Sequence, residues 1–158
     1  MAILSVGCTG APQPAGSCGI GEPRLTIGAG DPFQPRPNNE FVIEQGFQGG
    51  HHVDISLRVR GEMDPLHTDI ELILERNGEE LARHVVADWL LHADPNGEFC
   101  DYPRARLVFV DQEGGLVSPE GIPGLLNINM LLTASLRSIP GAVRTEFDLR
   151  FTEIRSLE

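Results

Sequence analysis

The chain has no lysine. All twelve of its basic residues are arginine, against 23 aspartates and glutamates, and the formal charge is -11 over 158 residues. Without lysine there is no Schiff-base amine, no pyridoxal anchor and no phosphate-loop lysine of the G-x-x-x-x-G-K-[ST] kind, so those enzyme classes are excluded. The acidic excess repels phosphate backbones and anionic lipid heads, which makes nucleic acid and bare membrane poor partners. Cysteine is scarce as well: Cys8, Cys18 and Cys100 stand alone, with no C-x-x-C spacing, which argues against a zinc ribbon or a thioredoxin-like redox pair. A G-x-S-x-G elbow is missing and the serines lie near no recognisable base. No catalytic residue is assigned on this reading and no cofactor is expected. Also absent are an internal repeat and any sustained apolar face at a helical period.

What is present is a globular composition rich in turn formers: 41% hydrophobic residues, 18 glycines and 12 prolines. The length suits one domain with a real core. Residues 9 to 23, TGAPQPAGSCGIGEP, are small and rich in proline and glycine, so residues 1–23 read as a signal remnant and flexible linker and 24–158 as the domain. In HHVDISLRVR, Val53, Ile55, Leu57 and Val59 alternate with Asp54, Ser56, Arg58 and Arg60, the period of a strand with two unlike faces. Asn77-Gly78 sits between two apolar runs and suits a type I′ turn, which predicts a hairpin. A helix over 79–91 competes, but Val85 and Val86 favour strand. Two long strands close the chain. One buries Leu126, Ile128, Met130, Leu132, Ala134 and Leu136; the other buries Val143, Phe147, Leu149 and Phe151 and turns Arg144, Glu146, Asp148 and Arg150 to water. About seven or eight strands at intervals near ten residues predict an all-β fold, a two-layer antiparallel β-sandwich of immunoglobulin-like form. The antibody signature is not there: Trp89 precedes Cys100 instead of lying between two strand cysteines, and Tyr102 follows it.

The opening MAILSVGC resembles the end of a bacterial lipoprotein signal, in which a small residue precedes a cysteine that is cleaved and acylated. Leu4 stands four residues before Cys8, where three is usual, and no positively charged start precedes it. The resemblance makes Cys8 the lipid-attachment residue and the only route to a membrane. Cys18 and Cys100 then remain as a pair for an oxidising compartment, with free thiols as the alternative. Beyond the Pro/Gly segment, EPRLTIGAG and FVIEQGFQGGHHVDISLRVRG resemble a group of bacterial secreted or lipoprotein sequences in which a segment close to G-P-Q-G-G-x-H leads into a strand ending in arginine and glycine. Gly46, Gln48, Gly49, Gly50 and His52 match that segment, and Phe47 stands where proline is more usual. The resemblance covers about the first two fifths of the chain and implies a secreted, periplasmic or outer-membrane location and an immunoglobulin-like domain; it carries over no activity.

Gly49 and Gly50 read as a bulge or positive-φ turn, with Gln48 bonding its exposed backbone. By period-two counting His51 and His52 point to opposite faces, a poor chelate. The leading functional expectation is a non-catalytic envelope module for structural or adhesive interaction, meeting a protein or glycan through its loops. The alternative is an envelope protein that binds copper or zinc through His51, His52, His67 and His84, with His92 as a further imidazole. Asp94, Asn96, Glu98 and Asp101 offer oxygens to calcium but lack the D-x-[DN]-x-[DN]-G rhythm. The outward arginines Arg58, Arg60, Arg144 and Arg150 are expected to pair across strands with acidic neighbours.

Overall fold

The structure is a computed structural model that describes residues 17–139 and 141–156. It is all-β. Ten strands follow the chain as β1 (Arg24–Ala29), β2 (Gln34–Pro35), β3 (Glu40–Gln45), β4 (His51–Arg60), β5 (Thr68–Arg76), β6 (Glu79–Trp89), β7 (His92–Ala93), β8 (Cys100–Val108), β9 (Asn129–Arg137) and β10 (Ala142–Ser156). Two of them, β2 and β7, are only two residues long, which leaves eight substantial strands. They join in one open mixed sheet, along the path β2-β1-β4-β3-β10-β9-β5-β6, with β8 on the other edge of β4 and β7 on β8.

β4 is the joint of this path. On one edge its first residues, His51 and His52, pair with Gln45 and Glu44 of β3, while Ser56 to Arg60 pair with β1; on the other edge it runs against β8. Leu57 and Val59 of β4, Leu72 and Leu74 of β5, and Leu132 and Phe151 of the closing strands are all essentially buried in one core. The Phe109 and Phe151 rings meet edge to face in it, 5.5 Å apart. Asn77 and Gly78 both take positive φ, 52° and 81°, as a type I′ turn requires, and Arg76 faces Glu79 across it. Residues 79 to 89 are therefore strand, not helix: the hairpin turn is stronger than their modest helix propensity.

Three features depart from the expected plan. β3 runs parallel to β10 over Glu40–Gln45 and Arg150–Ser156, so the sheet is mixed instead of purely antiparallel. β10 takes β9 as its antiparallel neighbour first and β3 as its parallel neighbour afterwards. The folded unit also takes in residues ahead of Arg24. Cys18 is fully buried, bridges backbone to backbone with Gly61, and forms the expected disulfide with Cys100 across 82 residues of sequence. The other half of that segment is held by Gly21, whose carbonyl accepts the N–H of Glu62 at 2.8 Å. Cys8, the lipid-attachment candidate, lies outside the described residues. Among the described residues no helix is long and apolar enough to cross a membrane.

Candidate functional site: the outward face of β4

The GGHH segment closes the β3–β4 hairpin. The Gly46 N–H donates to the Gly50 carbonyl at 2.7 Å and the Gly49 N–H to the Gly46 carbonyl at 3.0 Å. Gly49 sits at φ 82°, where a side chain is strained, and Gln48 is exposed at the tip beside Phe47. The strand that follows sends His51 to the core side with Val53 and His52 to the opposite side with Asp54, as alternation requires. Both rings are buried, at 6% and 4% exposure. Among the described residues, His51 Nδ1 and His52 Nε2 are the buried side-chain nitrogens or oxygens that have no hydrogen-bond partner. A buried polar group left unmatched costs about 1–3 kcal/mol, so such atoms are uncommon away from sites of function.

His52 Nε2 lies between two carboxylates, 3.5 Å from Glu44 Oε2 and 3.8 Å from Asp54 Oδ1. Register explains the meeting: Glu44 is opposite His52 across the hairpin, and Asp54 is two residues further along the same face. The three ligand atoms fall within 4.8 Å of one another and form the only such group of three His, Cys, Asp or Glu among the described residues. Asp54 is fixed by Arg106, its partner on β8, with Nε 3.0 Å from Oδ1, the oxygen nearest His52, and Nη2 3.2 Å from Oδ2.

Other histidines go elsewhere. His67 is exposed and bonds Asp88 at 2.5 Å, which raises its pKa above the ordinary value. His84 bonds the Tyr102 hydroxyl through Nε2 at 2.8 Å and lies 3.2 Å from the Arg106 carbonyl through Nδ1. Burial lowers its pKa, against a smaller opposing effect of that carbonyl. His92 is exposed on β7. The structure thus leaves His51, His52, His67 and His84 among four different sets of neighbours. The acidic loop behaves likewise: the Asp94 carboxylate accepts the backbone N–H groups of Asn96 and Glu98, and Asp101 is taken by Arg58.

Further along the same face, Arg58 makes two bonds of 2.7 Å to Asp101, its partner on β8, and its guanidinium lies 3.7 Å from the Phe99 ring centroid and 4.5 Å from that of Phe33. Between Arg58 and Asp54 stands Ser56, 1% exposed. Its hydroxyl donates to the Gly30 carbonyl at 2.7 Å and accepts the Arg104 N–H at 3.2 Å. There β8 bulges: Ile55 faces Ala105, but Leu57 faces Tyr102, so Pro103 and Arg104 are both opposite Ser56. Arg104 takes φ 53°, a conformation that costs a non-glycine residue about 1–3 kcal/mol. The outcome is a pocket of about 370 Å³ lined by Ala29 of β1 and Gly30 of the turn after it, Phe41, Val42 and Glu44 of β3, Asp54, and the arginines Arg36, Arg104, Arg106 and Arg155.

Sequence reasoning placed His52 and Asp54 on one face and missed Glu44, although a glycine turn over 46–50 implies a hairpin that sets Glu44 beside His52. The pocket arginines come from three distant segments, and no local signal joins them. No protein-family model matches the chain, and no curated protein matches it.

Proposed function

We propose that this chain is an extracytoplasmic binding module, a non-catalytic β-sandwich of immunoglobulin-like form tethered through Cys8, and that it holds a divalent cation at Glu44, His52 and Asp54. The observation that carries the cation reading is the buried, unpartnered Nε2 of His52 set between two carboxylates. One imidazole and two carboxylates form a mixed nitrogen–oxygen donor set suited to zinc or manganese more than to a soft ion. Arg106 would serve as the outer partner that orients Asp54, as metal-bound carboxylates commonly require. The buried disulfide supports a location outside a reducing cytoplasm. Calorimetric titration with zinc and with manganese checks the site. Micromolar or tighter binding of either, at least about tenfold weaker in Glu44→Gln, is the expected result. Equal affinity in the two proteins would refute it.

A second reading, an adhesive surface for a protein or glycan partner, is favoured by a different observation. Val85 and Trp89 of β6 and Leu90 just after it expose 59%, 45% and 55% of their surface, and Leu66 exposes 45% beside the backbone bond from the Leu91 N–H to the Pro65 carbonyl. Exposed aromatic and aliphatic groups of this kind are the material of interfaces.

A further inference from the structure

The four arginines around the pocket have no place in the cation reading beyond Arg106. They are a third of all the positive side chains in a chain of net charge -11, brought to one cavity. Among the described residues neither Arg36 nor Arg104 has a carboxylate within 4.0 Å, as is true also of Arg24, Arg60, Arg137 and Arg144, and Arg155 reaches only Glu153, at 3.6 Å; what sets Arg36 and Arg104 apart is that they line one cavity. Of the two acids that line the cavity, Asp54 is already engaged by Arg106. With Glu153 counted beside Arg155, four guanidiniums stand against three carboxylates, a local positive excess in an otherwise acidic molecule that favours an anion. Arg104 is also delivered by a dedicated backbone device: a bulge in β8, a left-handed φ and a buried serine that ties the bulge to Gly30, itself part of the pocket wall. Bulges of this kind re-aim a side chain.

We propose that this pocket binds a small ligand through a doubly charged oxyanion, a phosphate group, with Arg104 and Arg36 as its principal contacts. Guanidinium forks match such groups in shape as well as charge. A volume of about 370 Å³ lies at the lower end of ordinary ligand sites and suits a group of the size of a monosaccharide ester. The two sites share Glu44, Asp54 and Arg106, and the oxyanion site needs no bound cation.

The test is calorimetry on the full chain, treated with chelator and exchanged into low-salt buffer, with inorganic phosphate, phenyl phosphate and acetate as separate probes. Saturable binding of phosphate is expected, with acetate at least about tenfold weaker because it carries one charge. Tighter binding of phenyl phosphate than of phosphate would identify an ester as the natural source, and the reverse order the free ion. Arg104→Gly keeps the backbone conformation and removes the side chain; with Arg36→Ala it should weaken phosphate binding about tenfold each, while Arg24→Ala, on the exposed start of β1, changes it less than about twofold. Should Arg104→Gly fail to fold, Arg36→Ala, on the exposed turn before β3, carries the test alone. No saturable binding of either phosphate probe, or equal weakening in Arg24→Ala, overturns the proposal. Since no metal is present, failure here would not touch the cation reading, and failure of zinc and manganese to bind would not touch this one.

Discussion

At the scale of single residues, two histidines respond to acid in opposite senses, for different physical reasons. His84 is half-buried against Tyr102, and removal from water penalises its charged form, so its pKa falls below the ordinary 6.5. His67 stands in solvent beside Asp88, whose carboxylate favours the imidazolium, so its pKa rises above 6.5. The consequences for stability follow by linkage. The folded state binds fewer protons at His84 than the unfolded chain does, so that contribution is complete above pH 6.5 and is lost as pH falls toward the folded value. At His67 the contribution is complete below 6.5 and is lost as pH rises through the folded value; with both partners exposed it is small. A titration of the ring proton resonances by NMR should place the midpoint of His84 below 6.5 and that of His67 above it. The loss of stability on acidification between pH 6.5 and 5 should shrink in His84→Gln. A His84 midpoint at or above that of His67 would contradict the burial of the Tyr102 contact.

At the scale of elements, the informative feature is the joint between β4 and the bulged β8. Ser56 has one hydroxyl and uses it twice, donating to Gly30 of the β1–β2 turn and accepting from the Arg104 N–H. Ser56→Ala keeps the volume nearly unchanged but leaves both backbone groups without that partner. It should lower the free energy of unfolding in urea by about 1–3 kcal/mol with an unaltered m-value. A change under about 0.5 kcal/mol would mean that water replaces the hydroxyl and that the bulge is held by strand pairing alone. The same joint shows where reading the sequence stops. The alternation of Val53, Ile55, Leu57 and Val59 against Asp54, Ser56 and Arg58 was legible, because a period of two belongs to the strand itself. So was the Asn77-Gly78 turn, whose backbone demand is local. What could not be read is that the second face of β4 is also covered, with His52 and Ser56 as buried as core residues. Around Ser56 and Arg58 that cover includes Gly30 of the β1–β2 turn, Phe33 and Phe99, whose position depends on tertiary packing. The parallel pairing of β3 with β10 joins residues more than a hundred positions apart and is equally non-local. Residues read as water-facing therefore became the candidate site.

At the scale of the whole molecule, the disulfide decides how the chain's first described residues belong to the fold. Cys18 and Cys100 enclose 82 residues of sequence, and closing a loop of that length removes denatured-state entropy of about 4.5 kcal/mol in the chain-entropy account. Set against a stability of about 5–15 kcal/mol for a domain of ordinary size, that is a large share. Both sulfurs belong to fully buried residues, so a thiol reaches them only after the segment opens. Two backbone bonds of 3.2 and 3.3 Å, from Gly61 to the Cys18 carbonyl and from Cys18 to the Met63 carbonyl, oppose that opening. Gly61 adds a steric condition: a Cβ there would come within 2.7 Å of the Glu22 carbonyl, so the segment lies too close for any larger residue. Two results are expected. Under native conditions a mild thiol reductant should release no free sulfhydryl over many times the period in which it reduces the unfolded chain. Once reduced in denaturant and returned to native buffer with the thiols blocked, the protein should melt about 10–15 °C lower. Thiol counting and a thermal melt measure these separately. Rapid reduction of the native protein would show that the segment at Cys18 is detached much of the time, and a melt unchanged by blocking would show that the core of β4, β8 and the closing strands holds without it.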